Sequence, residues 1–138
     1  MSPDAVVATT GRAPRVLASP LLVRSSDASS AVVEIDIDAN EPLLAGHYPG
    51  FPIVPGVCLI ECVQRAVELT APVPLRTMRL SEIESTRFLG AVFPGERLRM
   101  ELRFDSDAER WLCLARLSTA RGQAASVRLR YARREATA

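Results

Sequence analysis

The only histidine of the chain, His47, lies fourteen residues before Glu61, and the residues between them favour a rigid loop that leads into a helix. Prolines follow the histidine at positions 49, 52 and 55. Because proline fixes φ and lacks an amide hydrogen, this stretch is predicted to be neither a helix nor a central strand. The mostly apolar residues 56–69 are long enough for a helix of about three to four turns. A constrained loop would thus hold an imidazole near a helix-borne carboxylate, a pair suited to general acid and base catalysis.

Each member of this pair also has a simpler interpretation. A single histidine in a sequence is most often structural or exposed. Glu61 could be a surface residue, since Arg65 stands four positions further along the helix and could pair with it. Against this, Glu61 has apolar residues on both sides, and a carboxylate is costly to bury unless it has a partner or a function.

Two motifs carry a resemblance to a known family. The run from Asn40 to Glu61 reads N-E-P-x-x-x-G-H-Y-P-G-x-P-x-x-P-G-V-x-x-x-E and resembles the active-site motif of the 3-hydroxyacyl-[acyl-carrier-protein] dehydratases. A second run, from Arg87 to Leu98, is similar to that family's R/K-F-x-x-x-V-x-P-G-D-x-L motif. The family's early signature, P-H-R-x-P-F-L-L-V-D-R, survives only in part at residues 18–24, which indicates a divergent branch with an altered substrate mouth or interface.

The resemblance implies an α+β hotdog fold, in which an antiparallel β-sheet wraps around one long central helix and the chain dimerises through the sheet. Residues 1–14 show no period and are predicted to be a flexible N-terminal leader, and residues 15–138 a single hotdog domain. Alternating apolar and polar residues predict strands, and prolines after residue 70 predict the helix end. The predicted strands are 31–38, 75–88, 97–104, 111–117 and 125–131, with turns at 94–95, 105–107 and 122–123.

The resemblance also implies residue roles. His47 would remove a proton from C2 of the substrate, and Glu61 of the other subunit would either protonate the departing C3 hydroxyl or hold a water. Gly56, at the helix start, would donate its N–H to the thioester oxygen. The Ile53 carbonyl is a candidate to accept from the His47 ring and set its tautomer. The predicted substrate-binding residues are Tyr48, Phe51, Ile53, Pro55 and Val57. Arg65 stands where the family often has glutamine.

The implied partner is an acyl carrier protein, whose phosphopantetheine arm carries the substrate, and no other cofactor is expected. A homodimer, a larger oligomer of dimers or a heterodimer would all fit, and the pathway would be fatty acid or polyketide biosynthesis in the cytoplasm. Two alternatives stay open: a hotdog acyl-thioesterase, and a partner subunit of a heteromeric dehydratase. Strand arginines could meet the acidic carrier protein, although such arginines usually form the solvated face of a sheet.

Composition and charge limit the class of protein and the kinds of partner that the chain can have. The 138 residues are 48% hydrophobic and 24% charged, which is ordinary for a globular domain. A net charge of +1 gives no electrostatic reason to expect nucleic acid or membrane as the main partner. The N-terminus shows no secretory pattern. Cys58, Cys62 and Cys113 match no metal-binding spacing and are predicted to be core residues in a reducing cytosol, with no metal.

Overall fold

A computed structural model describes residues 5–7, 17–41, 53–107 and 110–133 of the chain. Within these ranges seven strands form one antiparallel sheet, accompanied by a long and a short helix. The strands lie side by side in the order β1-β2-β3-β5-β6-β7-β4. In chain order the elements are β1 Ala5–Val7, β2 Leu21–Ser26, β3 Ser30–Asp36, α1 Gly56–Thr70, α2 Val73–Arg76, β4 Arg79–Phe88, β5 Arg97–Asp107, β6 Arg110–Thr119 and β7 Gly122–Ala132.

The alternation of β5 divides the sheet into two faces. Leu98, Met100, Leu102 and Phe104 are buried, while the residues between them are exposed. Neighbouring strands continue this pattern because side chains of paired residues point to the same side. We call the buried side the inner face and the opposite side, which carries Arg97, Arg99, Glu101 and Arg103, the outer face.

Helix α1 packs on the inner face. It begins after Pro55 and ends at Thr70, with Ala71 as its C-cap directly before Pro72, as the prolines predict. Its buried apolar side chains join those of the strands in a single core cluster. Each fully buried aliphatic side chain contributes about 1.5–3 kcal/mol, so the helix is held mainly by this contact. The helix residues of the cluster are Cys58, Leu59, Cys62, Val63, Ala66, Val67 and, half-buried, Ile60 and Leu69.

Several sequence-based boundaries are wrong, and the strand predicted at residues 31–38 already ends at Asp36. The strand predicted from residue 75 starts only at Arg79, because residues 73–76 form α2. The turn predicted at residues 105–107 is part of β5, because pairing with β6 continues as far as Asp107 and Arg110. The last turn lies at residues 120–121, and Gly122, with φ at +129°, starts β7.

The N-terminal leader is only partly described. Three of its residues, Ala5–Val7, pair with Leu21–Val23 of β2 as the edge strand β1. The other residues of 1–14 lie outside the described part of the chain. The division of the chain at residue 14 therefore stays a prediction.

Strand β4 closes the opposite edge of the sheet. Its ten residues pair with β7, with register shifts at Ser81 and Glu84, and most of its side chains are exposed. An exposed edge of this length offers unpaired backbone groups to another strand. It is the edge at which a second sheet could join, and dimerisation through the sheet remains a prediction.

Candidate active site

The predicted histidine loop is described only at its two ends. His47, Tyr48 and Phe51 lie outside the described residues. Before the loop, residues 38–41 form a turn in which Asp38 accepts hydrogen bonds from the backbone of Asn40 and Glu41. After the loop, the Val54 N–H donates to the Val92 carbonyl at 2.8 Å. Both ends of the loop are thus attached to the sheet domain.

The start of α1 presents free amide groups. Pro55 precedes the helix and provides no side-chain cap, while its carbonyl accepts from the amides of Cys58 and Leu59. The first amides of a helix have no intrahelical acceptor. In the described part of the chain the N–H groups of Gly56 and Val57 have no acceptor either. The positive end of the helix dipole can therefore receive a carbonyl oxygen or an anion.

The aromatic ring of Phe88 lies directly on Gly56. A Cβ placed at position 56 would stand 2.4 Å from Cζ of Phe88, so only glycine fits while the ring holds this position. Phe88 is 54% exposed, and Val57, the next helix residue, is 70% exposed. Two solvent-facing apolar side chains therefore flank the helix start. The sequence predicts substrate contact for Val57, whereas Phe88 belongs to the second motif without a predicted role.

Glu61 is not a surface residue. It is half-buried, and both of its carboxylate oxygens are shielded from solvent. The interpretation of Glu61 as an exposed partner of Arg65 is therefore wrong. Burial raises the pKa of Cys58 to about 11 and that of Cys62 to about 12, and the nearby Glu61 charge adds to both increases.

Arg65 turns instead toward the N-terminal segment. It is only 7% exposed, and its Nη1 and Nη2 atoms donate to the carbonyls of Leu17 at 3.0 Å and Ser19 at 2.9 Å. On the same segment the Ala18 N–H donates to the carboxylate of Glu41, at 3.3 and 3.4 Å from its two oxygens. Glu41 is 5% exposed.

Sequence reasoning assigns no positioning role to either of these two charges. Arg65 stands out only because it replaces the glutamine that the family often has, and Glu41 only as a letter of the first motif. The only sequence signal for their burial is that each charged residue occurs next to apolar residues. The backbone acceptors and donors of these charges are far away in the chain, so no local pattern indicates them.

Ile53 and Pro55 are half-buried beside the helix start, where the sequence places substrate contacts. The acceptor role of the Ile53 carbonyl stays a prediction because His47 lies outside the described residues. The three cysteines are buried and free. Within the described ranges no cluster of three or more metal-ligating side chains occurs, and no helix there is long and apolar enough to cross a membrane.

The chain is similar to a known protein family and to several curated proteins. The family model described as ApeI dehydratase matches residues 23–128. The 3-hydroxyacyl-[acyl-carrier-protein] dehydratase FabZ of Roseiflexus castenholzii is 37% identical over 79 residues, which cover 54% of this chain and 55% of that protein. FabZ of Chlamydia trachomatis serovar L2 is 30% identical over 99 residues, which cover 67% of this chain and 65% of that protein. The chain spans about half the length of several of the curated relatives that it matches.

Solved structures with the same fold include one from the dehydratase heterocomplex ApeI:P of Xenorhabdus doucetiae. It superposes with a TM-score of 0.68 at 23% identity, covering 80% of this chain and 94% of that one. The PaaI protein from the phenylacetic acid degradation operon of Escherichia coli superposes with a TM-score of 0.64 at 18% identity, covering 82% of each chain. These likenesses confirm the predicted hotdog fold. Because the family model covers most of its length, the chain belongs to the ApeI-like dehydratase family, as a divergent relative of the FabZ enzymes.

Proposed function

We propose that the protein removes water from 3-hydroxyacyl thioesters and yields trans-2-enoyl thioesters. The substrate would be carried on the phosphopantetheine of an acyl carrier protein, in cytoplasmic fatty acid or polyketide biosynthesis. Membership of the ApeI-like family and the names of the FabZ relatives support this reaction.

The reaction needs two proton transfers and a place for negative charge. His47 would take the proton from C2, and the electron pair of that bond would delocalise toward the thioester oxygen. Glu61 of the neighbouring subunit would protonate the C3 hydroxyl, which leaves as water. The Gly56 amide would stabilise the oxygen, because charge developing at a helix start meets a fixed positive dipole.

The observation that carries this proposal is the state of Glu61. Its two oxygens are shielded from solvent on a helix whose other inward side chains are mainly apolar, and the free amides of Gly56 and Val57 lie at the start of that helix. Helix α1 would thus supply the Gly56 amide to the site of its own subunit and Glu61 to the site of the neighbouring subunit.

The test is turnover of 3-hydroxyacyl carrier protein by the purified protein, followed by mass spectrometry for the loss of one water. His47→Ala and Glu61→Gln should each reduce turnover by at least about 100-fold, the usual contribution of a positioned acid or base. Glu68→Gln is the matched control, because it is the same change on an exposed position of α1. Near wild-type turnover in Glu61→Gln would contradict the assignment, and release of a free thiol would indicate a thioesterase instead.

The proposed chemistry involves no redox step, and both proton transfers are assigned to side chains. We therefore propose that no cofactor other than the carrier's phosphopantetheine arm takes part. Turnover after prolonged dialysis against a chelator should equal that of untreated protein. Activity that is lost on dialysis and returns with a divalent metal would refute this part of the proposal.

A shared site requires a second subunit, and strand β4 offers an exposed edge for it. We propose a dimer through this edge. A heterodimer is a second candidate, since the similar Xenorhabdus structure is that of a dehydratase heterocomplex. Light scattering on the purified chain, alone and mixed with a second dehydratase subunit, separates the two: a fully active monomer would contradict both.

A further inference from the structure

Two buried charges hold opposite ends of a single peptide group. The Leu17 carbonyl accepts from Arg65 and the Ala18 N–H donates to Glu41, so the peptide between these residues lies between a cation and an anion. A second bond from Arg65, to the Ser19 carbonyl, holds the Ser19–Pro20 peptide as well. We call this arrangement the peptide bridge: Arg65, the Leu17–Ala18 peptide and Glu41.

The charged residues of the peptide bridge and Leu17 are well protected from water, whereas Ala18 is exposed. The relative exposure of Leu17, Glu41 and Arg65 is 1%, 5% and 7%. Hydrogen bonds to charged groups are the stronger ones, and low dielectric strengthens them further. Burying either charge carries a large desolvation penalty, which such bonds only partly offset. Within the described residues the Nε of Arg65 has no acceptor, so this penalty is not fully compensated.

The two ends of the peptide bridge belong to the two elements that carry the proposed chemistry. Arg65 stands on α1 one turn after Glu61, on the same side of the helix. Glu41 is the last described residue before the loop that contains His47, and its own amide is fixed by the Asp38 carbonyl. A chain of hydrogen bonds therefore connects the helix with the beginning of the loop.

We infer that Arg65 and Glu41 are positioning residues, which set the histidine loop relative to α1, and so to the Gly56 amide at its start, through the Leu17–Ala18 peptide. This inference rests on the proposed function. Misplacing reacting groups by about 1 Å can reduce a rate by about 100-fold. Loss of either charge should therefore reduce kcat and leave KM largely unchanged, because neither residue is assigned to substrate binding.

The test uses a small 3-hydroxyacyl thioester, so that carrier-protein binding plays no part. Arg65→Gln and Glu41→Gln should each lower kcat by about tenfold or more. Arg65→Lys, which keeps the charge but cannot form the forked contact, should be intermediate. The double variant should be no worse than the poorer single variant, because both changes act on the same peptide. Arg97→Gln is the matched control, since it removes an exposed arginine from an ion pair on the outer face.

Wild-type kcat in Glu41→Gln and Arg65→Lys, or strictly additive losses in the double variant, would overturn the inference. Should Arg65→Gln fail to fold, the isosteric Glu41→Gln still decides the outcome.

Amide hydrogen exchange separates this inference from the proposed function. If the wild type does not turn over, the proposed function fails, whereas faster exchange both at Ala18 and in residues 42–52 of Glu41→Gln would still support the peptide bridge. Unchanged exchange, or a change confined to residues 17–19, would show that the peptide bridge does not position the loop.

Discussion

The interior of the domain and the outer face of the sheet use the same charged residue types in different ways. In the interior, the nearly buried Arg65 and Glu41 bind backbone groups of residues 17–19. On the outer face, Arg97 pairs with Asp36 at 2.6 Å, and the two side chains are 46% and 59% exposed. The outer ion pair is at least as short as the inner contacts, so distance alone does not distinguish the two regions.

The difference lies in the surrounding solvent. Exposed ion pairs are worth about 0–1 kcal/mol, because water and salt screen them. A buried charge that loses its partners costs about 3–5 kcal/mol, because the remaining charge stays desolvated. The exposed pair of Arg97 and Asp36 can therefore lose a charge with little effect, while the buried Arg65 and Glu41 cannot.

The largest expected effect is the loss of a buried arginine. Arg65→Met should destabilise the protein by about 2–6 kcal/mol, since the Leu17 and Ser19 carbonyls lose their donor and each unsatisfied buried acceptor costs about 1–3 kcal/mol. The same change at Arg97 should cost at most about 1 kcal/mol. Urea unfolding of both variants at equal protein concentration measures the difference. Similar values for the two variants would show that the inner and outer charges are equivalent.

The next effect concerns the cysteines of the inner face. Burial raises the pKa of Cys62 and Cys113 to about 12 and that of Cys58 to about 11. At pH 8 the thiolate fraction should thus be about 100- to 1000-fold below that of an ordinary thiol, and labelling correspondingly slow. A thiol reagent should label all three at ordinary rates only in urea. Fast labelling of the native protein would show that water reaches the inner face.

A smaller effect is expected at the helix start. Gly56→Ala places a methyl group where the Phe88 ring lies, so the ring must move. Phe88 is half-exposed and can do so at little cost in stability, but displacement beside the proposed oxyanion donor should reduce kcat about tenfold. The double variant Gly56→Ala/Phe88→Ala should recover most of this loss. Failure to recover would mean that position 56, and not the ring, is responsible.

The smallest effect is a pH dependence on the outer face. The hydrogen bonds from Arg97 hold the pKa of Asp36 below its usual range. This carboxylate therefore contributes stability above the unfolded pKa of about 3.9, and the contribution disappears as the pH falls through the lower folded value. Asp36→Asn should flatten the loss of stability below about pH 4 by at most about 1 kcal/mol. Unfolding curves at pH 3 and pH 6 measure this change in the pH dependence of stability. Arg97→Met is expected to reduce the pH dependence by a similar amount.

Much of the fold was predictable because its signals are local. The alternation of residues 97–104 predicted β5, and the prolines at positions 55 and 72 bracket α1 almost to the residue. Errors occurred where pairing partners decided the boundary. β5 continues through Asp107 because β6 offers partners as far as Arg110, which no local pattern in residues 105–107 indicates.

For the candidate site the sequence predicted position and not role. Motif spacing placed Gly56 and Glu61 on one helix, whose first amides have no acceptor among the described residues and whose Glu61 oxygens are shielded from solvent. The roles of Gly56, Glu61, His47, Tyr48 and Phe51 all stay predictions. Phe88 was missed as a neighbour of Gly56, because a contact between residues 32 positions apart leaves no periodic signal.

The sequence alone determined the order of loop and helix, the helix limits and the alternation of the strands, since backbone preferences and side-chain periodicity act over a few residues. Only the tertiary structure decided that Arg65 reaches Leu17, 48 positions away, and that Glu41 reaches Ala18, 23 positions away. Such contacts depend on how the sheet and helix pack, because a charge buried by packing must find whatever backbone groups the fold brings near it.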